Sequence, residues 1–386
     1  MPPSPLEGIR VLDLSRVVSG PFAGRMLCDL GADVVKIEPP DGDITRIWGE
    51  KRHGISGFYT QQNAGKRNVC VDLRTPEGPA VVRALAAVAD VMIENFRPGV
   101  LDRFGLGWEQ MRETNPALIL LSISGFGQTG PETRRQAYAS VLHAESGLIA
   151  RQAAFDRAQA TDPILSIADY DAGLHGLVGV LAALHLRHRT GTGQHVDISM
   201  LDAMLATDDY AHHALDGSPT VRLGGDVWDA PGGPILVSGA LQNTWRTIHT
   251  RYHVADPTPP GADLETKVSL RRQAVANWFR SFTDRAALIA ALEAGNLAWA
   301  DVRPAENAFD QPSAVAHGAA ASVDDRGGGT RLVVQSPYRF SDATAGVRGG
   351  APRRGEHNTA VLADWLGWGP DRVGELAVAG ALQTES

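Results

Sequence analysis

Two aspartates, Asp169 and Asp171, stand at the mouth of a long apolar stretch, SIADYDAGLHGLVGVLAALHLRHRTGTGQHVDISMLDAML (residues 166–205). Leu174, Leu177, Val178, Leu181, Leu184 and Leu186 follow them at helical spacing. They are apolar around much of the girth, so the spacing predicts a buried helix. RHRTGTG supplies basic residues and glycine where that helix should stop. The aspartates then lie at its positive N-terminal end. One reading makes either of them a helix cap, worth about 1 kcal/mol. The other makes one an ionised carboxylate held on a rigid element, as a carboxylate nucleophile requires. Spacing alone does not separate the two.

The elements that position this stretch alternate in period. IRVLDLS (9–15), DVVKIE (33–38), RNVCVDL (67–73), DVMIENF (90–96) and ALILLSISGFG (117–127) are short β-rich runs. Between them, GPFAGRMLCDLGA places Pro21 as a first helical residue and Gly31 as a stop, and TPEGPAVVRALAAVA (75–89) opens with a Thr cap and a proline. Strand and helix in repetition predict an α/β chain of parallel βαβ units, helices on both faces of one sheet. The first strand-to-helix turn, SRVVSGPFAG, does not fit the G-x-G-x-x-G fingerprint, and no GxxxxGK[ST] occurs. NAD, FAD or ATP bound in those standard ways is excluded. From about Gly217 the character changes. A Gly- and Pro-rich linker over 206–233 is expected to lead to a smaller α+β domain over 234–325, with helices near 266–282 and 285–294. Strand and helix return over 326–386, and DDRGGGT is a surface turn.

Composition bounds the rest. Of 386 residues, 43% are hydrophobic and 21% charged, ordinary for a soluble globular protein. No run is expected to span a bilayer, which needs roughly 18 to 20 apolar residues. MPPSPLEGIRVLDLS lacks the basic start and apolar core of a signal peptide. A cytoplasmic protein without membrane contact is expected. The two cysteines, Cys28 and Cys70, read as buried free thiols, not a disulfide or metal site. A net charge of −8 without a basic block disfavours nucleic acid. An anionic ligand needs only a local cluster of Arg, Lys and N–H groups.

Several stretches, taken in order, are similar to the blocks of the family III CoA-transferases, the group of formyl-CoA transferase, carnitine CoA-transferase and the 2-methylacyl-CoA racemases. They are LEGIRVLDLSRVVSGPFAGRMLCDLGADVVKIEPPDGD (6–43), NAGKRNVCVDLRTPEG (63–78), ADVMIENFRPGVLDRFGLGWE (89–109), NPALILLSISGFGQTGP (115–131) and ADYDAGLHGLVGVLAALHLRHRTGTGQHVDISMLDA (168–203). SPYRFS and GEHNTAVLADWLG resemble the closing motifs. The match is dense over 6–205, thin over 206–330 and recovers at 336–367. The resemblance implies a Rossmann-like large domain made of both chain ends, a small middle domain, and two chains interlocked as a homodimer. It implies acyl-CoA and a carboxylic acid as substrates, with no tightly bound cofactor and no metal. The first Asp of the D-x-x-x-G block, Asp169 with Gly173 following, would be the nucleophile that forms an aspartyl anhydride and an aspartyl-CoA thioester. Asp171 would be its capping or solvated neighbour. Val18, Asp72, Leu73, Arg74, Asn95, Phe96, Arg97, Arg103 and Tyr138 match positions at the CoA site. Arginine suits phosphate through its planar fork of donors.

The chain also departs from that pattern. In QAYASVLHAESGL (136–148), Ala139 stands where members commonly carry an acid, and His143 where they carry a Gln. Val18 stands where formyl-CoA transferase has a Gln touching the reacting group. The family's racemases pair the aspartate with a histidine in place of Tyr138. Here His143 or His175 would have to serve as the second acid/base. Racemisation of a 2-methylacyl-CoA and CoA binding without catalysis are therefore the alternatives to transfer. In the middle domain, the run 224–233 is either a mobile flap or an interdomain loop. Trp228 and Trp245 line an apolar pocket or belong to the core.

Overall fold

The computed structural model describes residues 2–219 and 224–385. Six strands form one parallel sheet: β1 (Arg10–Asp13), β2 (Asp33–Glu38), β3 (Arg67–Cys70), β4 (Val91–Glu94), β5 (Ile119–Ser124) and β6 (His195–Ser199). Their spatial order is β3-β2-β1-β4-β5-β6, every neighbour parallel. The order reverses between β1 and β4, the point where the loops leaving two adjacent strands diverge and leave a crevice. Side chains alternate between two packed layers. Leu12, Val35, Val69 and Met92 face one layer, and Val11, Val34, Val91 and Ile93 the other. A sheet covered on both faces explains why its strands read as nearly continuous apolar runs. Cys28 and Cys70 are buried free thiols.

The chain divides into two compact units, Met1–Ala211 with Val315–Ser386, and His212–Ala314. The second unit holds an antiparallel sheet of Asp226–Trp228, Ile235–Val237 and Trp299–Asp301, and the helices Leu241–Arg251, Leu264–Arg280 and Arg285–Ala294. Trp228 and Trp245 are core here, Trp228 stacked on Phe279 at 5.5 Å. The glycine-rich run 224–233 is not a plain interdomain loop. It contains a strand, Ile235 pairing with Trp228, and a Cβ at Gly225 would lie 2.4 Å from the Val237 oxygen. Of the linker expected over 206–233, residues 220–223 lie outside the described residues. DDRGGGT is the turn of a hairpin, Ala320–Asp324 with Thr330–Val334, closed by Asp325 accepting from the Gly327 and Gly329 amides. That hairpin belongs to the first unit, so the chain returns there at Val315 and not at residue 326.

The long apolar stretch is a helix over Ile167–Thr190 ending on Gly191 in the left-handed region. It is not buried all round. Ala168, Ala172, Gly173, Gly176, Leu177, Val180 and Ala183 face inward, while Leu174, Val178, Leu181 and Leu186 are exposed. By length and composition it is also apolar enough to cross a membrane, contrary to the expectation that no segment would be. The core helix of a water-soluble protein passes the same test, and this one packs against the sheet.

Charged groups are sealed under the crevice. Lys66 Nζ donates to Asp13 (2.7 Å), the Pro21 carbonyl (2.8 Å) and Asn63 (2.9 Å). Lys36 Nζ donates to the Ser15 carbonyl (2.7 Å) and lies 3.4 Å from Asp43. Both lysines and both aspartates are buried. Burial alone would raise the Asp13 carboxyl, but Lys66 and Lys36 outweigh it and hold its pKa below the ordinary value. A buried charge that loses its partner costs far more than the pair contributes. Asp13→Ala is therefore expected to destabilise the fold by about 3–5 kcal/mol. Urea unfolding measures this, and a loss below about 1 kcal/mol would contradict it.

Candidate active site

The site begins at the turn after β1. Leu14 is tied to β4 by its amide on the Ile93 carbonyl (2.8 Å). Asp13 accepts from the Ser15 amide (3.0 Å). Val17 sits at φ 70, a left-handed conformation that costs a β-branched residue about 1–2 kcal/mol. Asp43 accepts from its amide (3.2 Å) and holds it there. The next residues open the helix Ser19–Asp29, with Val18 at its N-cap. From β4, the Asn95 side chain clamps this turn: Oδ1 accepts from the Arg16 amide (2.7 Å), and Nδ2 donates to the Arg16 carbonyl (2.7 Å) and Ser19 Oγ (3.1 Å).

The long helix brings Asp169 to the turn. Asp169 and Gly173 are four residues apart and share a helix face. A Cβ at Gly173 would lie 2.8 Å from the Ser19 carbonyl oxygen, so glycine is what lets the helix approach. Neither aspartate caps the helix. Ser166 at the N-cap makes no side-chain capping bond. His143 Nε2 accepts from the Ala168 amide (3.2 Å), one of the donors a helix start leaves unpaired. Nδ1 must then carry the proton, which it donates to Asp162 (2.8 Å). Asp171 accepts from Thr207 (2.9 Å). Asp169, half-buried, is left to face the cavity. Burial raises its pKa to about 6, while hydrogen bonds from the Ser19 amide and hydroxyl and the nearby His143 pull the other way.

The cavity beside Asp169 has a volume of about 510 Å³. Of the residues singled out in the sequence, Asn95, Phe96, Arg97, Tyr138 and Asp169 line it. A second cavity, about 260 Å³, is lined by Asp72, Leu73, Arg74 and Phe96 with Leu14, Ile37, Val71 and Phe104. Arg16 and Phe96 line both, so the two adjoin. Arg74 is paired with Asp72 at 2.8 Å. Two expected contacts lie elsewhere. Val18 is buried at the N-cap, and Val17 and Ser19 line the cavity in its place. Arg103 is exposed on the turn Asp102–Phe104 and lines neither cavity. His175 also lines neither. Arg16, Ser19 and Gln136 were missed. Gln136, its amide oxygen turned toward the guanidinium, accepts from Arg97 Nη1 (3.2 Å). Arg16 and Ser19 flank the Val-Val dipeptide of an already suspect turn, but nothing in their types announced a role. Arg135 is neutralised by Glu132 (2.9 Å) and Glu145. Arg16 Nε is buried without a partner. Among the described residues, neither Arg16 nor Arg97 forms an ion pair, and both line the Asp169 cavity.

Fold and site together define an α/β protein with a crevice suited to an anionic ligand, set against one half-buried, helix-borne carboxylate. The model of CoA-transferase family III matches residues 6–358, and the chain belongs to that family. Succinyl-CoA–D-citramalate CoA-transferase of Chloroflexus aurantiacus is 33% identical, over 97% of each chain. Succinate–glutarate CoA-transferase of Agrobacterium fabrum is 33% identical, over 93% of this chain and 95% of the relative. Formyl-CoA:oxalate CoA-transferase of Streptomyces avermitilis is 32% identical, over 98% and 99%. The crystal structure of a CAIB/BAIF family protein from Brucella suis superposes with a TM-score of 0.80 at 30% identity, covering 94% of this chain and 100% of that one. The protein is thus a CoA-transferase, and its relatives are named for the transfer of CoA between acids.

The raised pKa of Asp169 has a consequence for stability. Its folded value, about 6, lies above the ordinary unfolded value near ~3.9. The native state therefore binds this proton more tightly, and the group's destabilising contribution is relieved as pH falls from 7 toward 4. Asp169→Asn carries no such charge. It is expected to melt about 2–4 °C above the parent at pH 7, with the gap closing by pH 4. Calorimetry across that range checks it, and a gap that widens on acidification would contradict it.

Proposed function

We propose that this protein moves CoA between an acyl-CoA and a free carboxylic acid through covalent intermediates on Asp169. The position of that carboxylate carries the reading: it sits on a rigid helix capped by His143, and it faces a cavity lined by two arginines that form no ion pair among the described residues. The Asp169 carboxylate attacks the thioester carbonyl. A C–O bond forms, the C–S bond breaks, and CoA leaves as thiolate, giving a mixed anhydride. The thiolate then attacks the Asp169 carbonyl and expels the donor acid as its carboxylate, leaving an aspartyl-CoA thioester. An incoming acid runs both steps in reverse. One exchange is split into steps between similar carboxyl derivatives, without net redox change. The smaller cavity, walled by Leu14, Val71, Leu73 and Phe104 with Arg74 at hand, suits the adenosine end of CoA. Asn95, Phe96, Arg97 and Tyr138 lie along the remainder. Racemisation is less well supported. His143 has both ring nitrogens engaged, and His175 lies off the cavity.

The same helix supports a homodimer, interlocked as in the family's two-ring arrangement. Leu174, Val178 and Leu181 make an exposed apolar stripe on the face opposite Asp169, with Leu205 exposed on the following helix. Val178→Asp is expected to shift the protein from dimer to monomer by light scattering. An unchanged dimer would move the interface elsewhere.

The reaction is tested by mass spectrometry of CoA thioesters after incubation in D2O. Donors are succinyl-CoA, formyl-CoA and 2-methylacyl-CoAs; acceptors are citramalate, glutarate, oxalate, malate and mesaconate, the acids in the relatives' names. A new thioester matching an added acid is expected. Its rate should fall as pH drops through about 6, where Asp169 takes up its proton. An unchanged thioester that gains one α-deuteron would overturn transfer in favour of racemisation.

A further inference from the structure

We propose that the Ser19 hydroxyl is a catalytic hydrogen-bond donor to the acyl oxygen of Asp169, and that Asn95 is its positioning residue, its side-chain N–H groups spent on the turn and not on CoA. This rests on the Asp169 mechanism above.

The hydrogen-bond inventory leads there. A carboxamide has two N–H donors. Both of Asn95's are spent inside the protein, on the Arg16 carbonyl (2.7 Å) and on Ser19 Oγ (3.1 Å). Its oxygen already accepts from the Arg16 amide (2.7 Å). The side chain has no N–H left for CoA. Ser19 Oγ, accepting from Asn95, keeps its own proton for another acceptor. Ser19 is 2% exposed and lines the same cavity as Asp169. The Asp169 carboxylate interacts with both its amide and its hydroxyl. Gly173 removes the Cβ that would push the two apart.

The chemistry then follows. In the mixed anhydride one Asp169 oxygen carries the acyl group and the other remains a carbonyl oxygen. When CoA thiolate attacks, the C–S bond forms and the carbonyl π pair moves onto that second oxygen. Collapse returns the pair and breaks the C–O bond to the departing acid, and Ser19 keeps its proton throughout. In the resting carboxylate the charge is shared by two oxygens; in the tetrahedral state it sits on one. Donors aimed there strengthen most in the transition state.

Removing one such donor costs about 10²–10³ in kcat where it acts only on the transition state. Ser19 also bonds the ground state, so Ser19→Ala is expected to lower kcat about 10–100-fold. CoA affinity, read by titration with CoA itself, should be unchanged. The Asp169 carboxyl, followed by ¹³C NMR of labelled aspartate, should titrate at higher pH, because a donor to its charged form is gone. Ser19→Thr, which keeps the hydroxyl, should recover most of the rate. Asn95→Ala should lower kcat without weakening CoA binding. Ser19→Ala with kcat within twofold of the parent would overturn the proposal, and so would weaker CoA binding as its main effect. Asp169→Asn separates the two claims. Turnover retained in that variant sinks the Asp169 mechanism itself. Turnover lost there, but kept in Ser19→Ala, sinks only the role of Ser19.

Discussion

Lys36 and Lys66 are sealed from solvent, and what they bond to decides where the chain can go after its first strand. A buried ammonium must be paired and have its protons accepted. Lys66 finds Asp13, Asn63 and the Pro21 carbonyl; Lys36 finds Asp43 and the Ser15 carbonyl. Two of these acceptors are main-chain oxygens at opposite ends of the turn 15–21. The turn cannot slide without stranding a charge. That rigidity sustains Val17 at positive φ, with Asp43 holding its amide. Strain of this kind persists only where the surroundings over-determine it. Here the charges below the turn do so, and the turn presents Ser19 and Arg16 to the crevice.

Asp169 reaches the same point from the other side. Gly173, Gly176 and Gly179 each face a neighbour that a Cβ would crowd: the Ser19 carbonyl at 2.8 Å, Leu121 at 3.0 Å and Val196 at 2.7 Å. The helix therefore lies closer to the turn and the sheet than larger residues allow. Close packing is also what raises the Asp169 pKa to about 6. At pH 7 such a group is still roughly tenfold more carboxylate than acid. It is ionised enough to attack and desolvated enough to be reactive. His143 relieves it of a structural duty by capping the helix.

Much of this was legible in the sequence, and the rest fails for identifiable reasons. The parallel sheet follows from strand and helix periods, because a sheet covered on both faces leaves continuous apolar runs. Asp169 stood out as one of two helix-start aspartates, but choosing between them needed the family pattern. Only the fold shows why neither caps: the capping acceptor comes from His143, 25 residues earlier. No local rule anticipates a cap from so far away. The family pattern puts Val18 at the cavity where Val17 and Ser19 stand, because a left-handed residue reverses the direction of its neighbours and sequence carries no mark of it. Arg103 matched a motif, yet its side chain ends on the exposed side of a short turn. Around DDRGGGT the turn and the strand after it are legible, but the strand before it, Ala320–Asp324, is only partly buried and lacks a strong alternation.

The long helix shows how one pattern can hide two partners. Apolar residues around its girth suggested burial on all sides, yet in the single chain only one face is covered. Fully burying a Leu or Val side chain stabilises by about 1.5–3 kcal/mol. An exposed stripe of Leu174, Val178 and Leu181 therefore leaves several kcal/mol unrealised until something covers it. A second copy seated there would grip the very element that carries Asp169. Its inner face is fixed against the turn by glycines, and its outer face would be fixed by association. Dimerisation and the placing of the nucleophile would then be one packing problem, solved on opposite sides of one helix.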